Sequence, residues 1–317
     1  MQPGSGTSRV SVVMAAIIVI LFVSFAPIWI LSQRSQQRTL TCQMHQIRIV
    51  EAFQRYDGAE KALPGFRQPR FGPSAVAEAE TPELASWTFS ILPYLYERRK
   101  PVDDATPAWH TLYDTFGPQA DAEHRNMKPR GRIGIYLCPS DTDQDGVAPL
   151  SFVANAAMPD NSGAVPDYRA NGLLMDRGAR MLSWSLKDLA AADGVSHTIL
   201  LTENIDAGDW HDDLESLVSL LWRPIGARNP VLAINERIGH GASVEMSSLF
   251  ARPSSYHPGG VNVAFPGGST RVLTPAMDKQ LYLQLLTADD LKVRDNVTGR
   301  PLTSQFKLPV ESEPARE

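Results

Sequence analysis

The apolar and polar positions change rhythm along the chain, and each change marks an element. Residues 10–31 carry no charge and are almost entirely apolar, and this run could cross about 30 Å of hydrocarbon at about 1.5 Å per residue with some tilt. A cleaved signal would have an apolar region of about 7–15 residues followed by small residues at the cut, whereas Trp29 and Arg34 follow here, so a retained transmembrane helix is expected. Pro27 is expected to kink it, and Trp29 suits the membrane interface. Residues 33–56 lack Gly and Pro and space Leu40, Met44, Ile47, Val50 and Phe53 at helical intervals among charged residues. This predicts that the helix continues as a stalk whose apolar stripe packs on a globular head. Asp57-Gly58 is the expected stop, followed by a Pro-rich loop from Leu63-Pro64-Gly65 to about Thr81.

Beyond the stalk the periods shorten. Thr81-Pro82-Glu83 signals a helix carrying Leu84, Trp87, Phe89, Ile91 and Leu92, ending at Pro93. Short β-like runs are expected at 133–138, 151–154, 198–202, 242–246 and 261–265, with a short helix at 185–192. Thr274-Pro275 is expected to cap a longer helix with Met277, Leu281, Leu285 and Leu286. The reading is therefore 1–9 as a cytoplasmic N-terminus, 10–31 as the transmembrane helix, 32–57 as the stalk, 58–308 as an α+β head and 309–317 as a flexible tail. The strands are too irregularly spaced for repeating βαβ units.

Composition narrows the classes of function. Of 317 residues, 43% are hydrophobic and 21% charged, enough to bury a core. A net charge of −5 gives no bulk attraction to phosphate backbones, so nucleic acid is excluded as an expected partner. Two cysteines allow at most one bridge. Arg34 and Arg38 outnumber Arg9, which by the positive-inside rule would leave the head in the cytoplasm, although long domains can defy that rule.

Several segments together resemble the pseudopilin-like envelope proteins of planctomycete-type bacteria, related to the type II secretion major pseudopilin. They are Arg38 and Cys42 with Gln43-Met44-His45-Gln46-Ile47 on the stalk, then Leu63-Pro64-Gly65, Ser86-Trp87, and Ile91-Leu92-Pro93-Tyr94-Leu95. They continue with Cys138-Pro139-Ser140-Asp141, the run from Asp193-Gly194 through Thr198-Ile199-Leu200-Leu201-Thr202-Glu203-Asn204, and His257-Pro258-Gly259-Gly260-Val261. The family's C-terminal hallmark is His, nine residues, then Asp-Gly; Gly267-Gly268 stands in place of that Asp-Gly. The N-terminus also departs from a prepilin signal, since neither Gly4 nor Gly6 is followed five residues later by Glu. The resemblance implies a pilin-like long helix packed on an antiparallel sheet, and a single-pass protein of the bacterial cytoplasmic membrane with its head in the periplasm or on the outer side. It further implies a non-enzymatic structural or interaction role, with the lipid bilayer and envelope proteins or secretion or pilus-like machinery as partners.

The chemical candidates are few. Cys42 and Cys138 are expected to form a disulfide joining stalk to head, with two buried free thiols as the alternative; closing a loop of about 100 residues would contribute up to about 4–5 kcal/mol. Asp141, Asp143 and Asp145 alternate before Gly146 as in the opening half of a calcium loop, but Phe152 stands where an EF-hand has its Glu, leaving a looser calcium site or a solvated acidic turn. The seven histidines lack the His-x-x-x-His spacing of zinc enzymes. An envelope metal-assisted hydrolase would have to assemble His211, Asp212, His240 and His257 in space. Trp109, Trp210 and Trp222, read as exposed, are the only hint of a carbohydrate- or solute-binding head. His257-Pro258-Gly259-Gly260 reads as a tight entry to the strand at 261–265, with the imidazole bonding nearby backbone, and Gly267-Gly268 as a turn.

Overall fold

The computed structural model describes residues 9–70, 84–95, 129–142, 146–159, 168–178, 182–227, 233–236 and 248–306. Side chains at 9–11, 23 and 26–28 are outside that description. One helix, α1 (Arg9–Glu60), runs through Pro27 and on into the head as 52 continuous residues. Its first part leaves Val12, Phe22, Phe25, Trp29 and Leu31 largely exposed. Among the described residues no helix is long and apolar enough to cross a membrane. The longest stretch of described side chains in the expected span is residues 12–22.

The face of α1 that docks fully buries only Val50 and Phe53 of the stripe expected. Leu40 and Met44 are 60% and 50% exposed, while Cys42, Gln46, Ile49, Val50, Ala52, Phe53 and Tyr56 are buried. Positions 42, 46, 49, 53 and 56 form a helical stripe of their own, whose first two members are a cysteine and an amide and so carry no hydrophobic signal. The helix also passes Gly58. It ends after Glu60, where Lys61 takes φ +58° and its N–H bonds the Asp57 carbonyl at 2.8 Å.

β1 (Arg67–Pro69) and β2 (Leu84–Ser86) pair antiparallel, so Leu84 lies in a strand and not in the expected helix. That helix, α2 (Trp87–Ile91), starts later and runs into a 3-10 turn, Leu92–Tyr94, built on Pro93. Thr81-Pro82-Glu83 lies outside the described residues. The expected strand at 133–138 is a 3-10 turn at Gly134–Tyr136, folding Tyr136 inward so that its hydroxyl donates to the Thr88 carbonyl at 2.6 Å.

The main sheet comprises β3 (Phe152–Ala157), β4 (Leu201–Glu203), β5 (Ser219–Leu221), β6 (Val261–Ala264) and β7 (Thr270–Leu273) in the order β5-β3-β4-β6-β7. It is mixed, which corrects the expectation of an antiparallel sheet: β5 runs parallel to β3 and the other pairs are antiparallel. Alternation along β3 explains why both faces are covered. Phe152, Ala154 and Ala156 join the core containing Phe53 and Trp87 of the helices, and Val153 joins the core of Ile199, Trp222, Val263, Phe265 and Leu286. Three further short helices lie among the described residues of the head: α3 (Leu186–Ala190), capped by Ser185; α4 (Glu215–Val218), which leads directly into β5; and α5 (Lys279–Gln284). The cap of α5 is the Asp278 carboxylate, which accepts from the N–H groups of Gln280 and Leu281, and not the expected Thr274. The architecture is thus α+β, with the long helix lying on β6. The strand expected at 242–246 and the tail at 309–317 lie outside the described residues.

Candidate functional site

Polar side chains on the docking face of α1 meet β6 and the turn ending at Ser140. Gln43 Nε2 donates to Asn262 Oδ1 at 2.9 Å and Gln46 Nε2 to the Asn262 carbonyl at 3.0 Å. Further along α1, Gln54 Nε2 donates to the Pro266 carbonyl at 2.8 Å in the β6–β7 turn. His45 Nδ1 faces the Leu137 carbonyl at 2.9 Å; burial lowers the pKa of this imidazole, and the carbonyl opposes that shift. These bonds place Cys42 against Cys138. Their sulfurs are joined, with the Cα atoms 5.3 Å apart and 96 positions between them in sequence. The expected disulfide is therefore present.

Two further groups reach the same point. Glu203, the last residue of β4, and His257, just before β6, are 2% and 3% exposed at their side chains, and His257 Nε2 lies 2.9 Å from Glu203 Oε1. Cys138 Sγ is 3.3 Å from each of these atoms. On the far side of the ring, His257 Nδ1 is 3.0 Å from Thr39 Oγ1 and 3.2 Å from Ser140 Oγ. Asn262 donates to Glu203 Oε2 through its backbone N–H at 2.8 Å and its Nδ2 at 3.2 Å. One donor atom from each of Cys42, Cys138, Glu203 and His257 falls within 4.8 Å of the others, and all four residues are buried. The set contains two sulfurs, an imidazole and a carboxylate, the ligand types that zinc accepts.

A family described as a protein of unknown function, DUF1559 (SBP_bac_10), matches residues 32–280, most of the chain. The chain belongs to DUF1559. No curated protein and no solved structure matches it. The DUF1559 match begins on α1 beyond the apolar run and covers all four residues of the cluster.

In this DUF1559 chain the other expected sites divide as follows. His257 does not bond nearby backbone with its ring; it bonds side chains from α1, β4 and the Ser140 turn, while its backbone N–H donates to Ser255 Oγ. Gly259 and Gly260 have φ of +96° and +150°, and Gly268, next to Gly267 in the β6–β7 turn, has +91°. The Gly267 N–H donates to the Val195 carbonyl at 2.9 Å, bringing that turn beside the Asp193-Gly194 segment. Asp193 accepts from the Asp290 N–H, and Gly194 (φ +98°) donates to the Leu189 carbonyl. The carboxylate of Asp141 accepts from Ser151 Oγ at 2.8 Å; Asp143 and Asp145 lie outside the described residues. Among the described residues His211 and Asp212 are not in the group holding His257, and His240 lies outside them. Asp212 instead accepts from the Asp209 N–H. Trp210 and Trp222 are buried, not exposed, and their indoles donate to Gly131 and Asn171 carbonyls; Trp109 lies outside the described residues.

Glu203, Thr39, Ser140 and Asn262 were not singled out from the sequence as site residues. The one available signal was Glu203 itself, a charged residue closing the apolar run 199–201, where a strand buried on both faces has no place for it without a partner.

Proposed function

We propose that this protein is a single-pass, membrane-anchored, pilin-like protein of the bacterial cell envelope, non-enzymatic, acting through its head by contacts with other envelope proteins or secretion or pilus-like machinery. The observation that carries this reading is the continuity of α1. One helix bears the uncharged run 10–31 at one end and, at the other, supplies the buried spine on which β6 and α2 pack. Exposed Val12, Ile18, Phe22, Phe25, Trp29 and Leu31 would be costly in water and are accounted for by lipid. The Cys42–Cys138 disulfide supports a head outside the cytoplasm, because such bonds persist in oxidising compartments.

Fractionation and proteolysis test the reading. The full chain should stay with membranes through alkaline carbonate washing and leave them in detergent. Protease added to intact spheroplasts should degrade the head. Release by carbonate, or a head protected until the cells are lysed, would overturn the assignment of anchor or of sidedness respectively.

A further inference from the structure

The junction between α1 and the head holds more polar chemistry than a disulfide needs. A disulfide is content among apolar neighbours, yet a carboxylate and an imidazole are buried against this one, each costly to remove from water. We propose that Cys42, Cys138, Glu203 and His257 also form a zinc site, occupied when the disulfide is reduced, so that metal and disulfide are alternative clamps of one junction.

The geometry needs little adjustment. Tetrahedral zinc, with bonds of about 2.3 Å to sulfur and about 2.0–2.1 Å to nitrogen and oxygen, sets its ligand atoms about 3.3–3.8 Å apart. Cys138 Sγ, His257 Nε2 and Glu203 Oε1 are already 2.9–3.3 Å from one another. The two sulfurs, now bonded, must part. Two thiolates also select zinc over calcium or magnesium.

The surrounding bonds suit a ligating ring and carboxylate. The Thr39 hydroxyl donates to the Ser35 carbonyl at 3.1 Å, so towards His257 Nδ1, 3.0 Å away, it offers a lone pair. A ring with its proton on Nδ1 leaves Nε2 free to bind metal, the usual arrangement when a second partner fixes the tautomer. Asn262 holds the second oxygen of Glu203 and is itself held by Gln43 and Gln46. The Ser140 N–H, 3.4 Å from Cys138 Sγ, is a donor that stabilises a thiolate.

The exchange balances. Two small-molecule thiols, or one protein dithiol, give two electrons and two protons to the Cys42–Cys138 bond and are themselves oxidised to a disulfide, leaving two protein thiols. Zn2+ then binds both sulfurs as their protons pass to water, and the imidazole proton, which in the disulfide form lies on Nε2 towards Glu203 Oε1, moves to Nδ1 to free Nε2 for the metal. The charges of two thiolates offset that of the ion, so with a neutral ring the buried centre carries the one negative charge of Glu203 before and after. The inference stands whether or not residues 10–31 enter a bilayer.

The full chain in detergent, reduced by a phosphine that leaves as its oxide and then freed of metal, is titrated with Zn2+ alone and with Co2+ as a spectroscopic reporter. About one equivalent should bind, with tetrahedral thiolate–cobalt absorption and a raised Tm. The disulfide form should take up less than about a tenth as much. Asn262→Ala should weaken zinc about 10–100-fold, and Cys42→Ser with Cys138→Ser should abolish binding. Reduced protein that unfolds cooperatively but takes up no zinc overturns the proposal, as does undiminished binding by the double serine variant. If reduction unfolds the chain, recovery of cooperative unfolding with zinc but not magnesium supports the site, and recovery with neither overturns it.

Discussion

Gly260 has no room for a methyl group. A Cβ there would stand 2.1 Å from the Leu273 carbonyl oxygen of β7, and φ of +150° is strained for any L side chain. Gly260→Ala should therefore cost at least about 2 kcal/mol in denaturant unfolding; a loss within error of zero would mean that β7 moves aside freely. Glu203 makes the opposite demand, since its carboxylate must be present. Removing it orphans the Asn262 N–H and takes the carboxylate away from His257 Nε2. Glu203→Ala should lose about 1–3 kcal/mol by the same measurement. The tryptophans show where residue-level reading falls short. Trp210 and Trp222 look like exposed binding aromatics along the chain, but a backbone carbonyl waiting inside the fold satisfies each indole, and nothing local to the sequence announces that acceptor.

At the scale of elements, α3 and the segment after α5 meet through carboxylates. The Asp290 N–H donates to Asp193 Oδ2 at 2.8 Å, and the Thr287 hydroxyl bonds Asp290. Burial, against the opposing Thr287 bond and with Asp193 and Asp289 nearby, pushes Asp290 up to about 6, and burial raises Asp193 as well despite His197 close by. The folded state thus holds protons that the unfolded chain, with carboxyl values near about 4, has already released. The stability contributed by this contact is present below about pH 4 and lost as pH rises through about 6. Asp290→Asn should raise Tm at about pH 7.5 and change it little at about pH 4; a gap that fails to close on acidification would rule out this cause. Elements were legible where local chemistry decides them. Ser185 was expected to start a short helix and does, and the strands at Phe152 and Val261 fall on short β-like runs expected there. They were illegible where distant partners decide: Ile133 to Cys138 has strand composition, but Tyr136 turns inward to reach Thr88, and the docking face of α1 is set by Cys138 and Asn262, more than 90 positions away.

For the whole molecule, the phase of one helix couples what lies at its two ends. Residues 39, 42, 43 and 46 must face the head together for Thr39 to reach His257, Cys42 to reach Cys138, and Gln43 and Gln46 to reach Asn262. Closing a loop of 96 positions contributes about 4–5 kcal/mol in the chain-entropy description, so Cys42→Ser with Cys138→Ser should lower Tm markedly without changing the fold. Phase is the sharper test. One alanine inserted between Gln46 and Ile47 rotates everything upstream by about 100° and shifts it about 1.5 Å, turning Cys42 away from Cys138 while Ile49, Phe53 and Tyr56 keep their places. That variant should show two alkylatable thiols and at least the stability loss of the double serine variant. The same insertion between Gln33 and Arg34, beyond every contact named above, should leave the disulfide and the head's Tm unchanged, because only the apolar run upstream is turned. Equal effects from the two insertions would mean that the junction does not depend on helix phase, and α1 would then be a tether and not a spine.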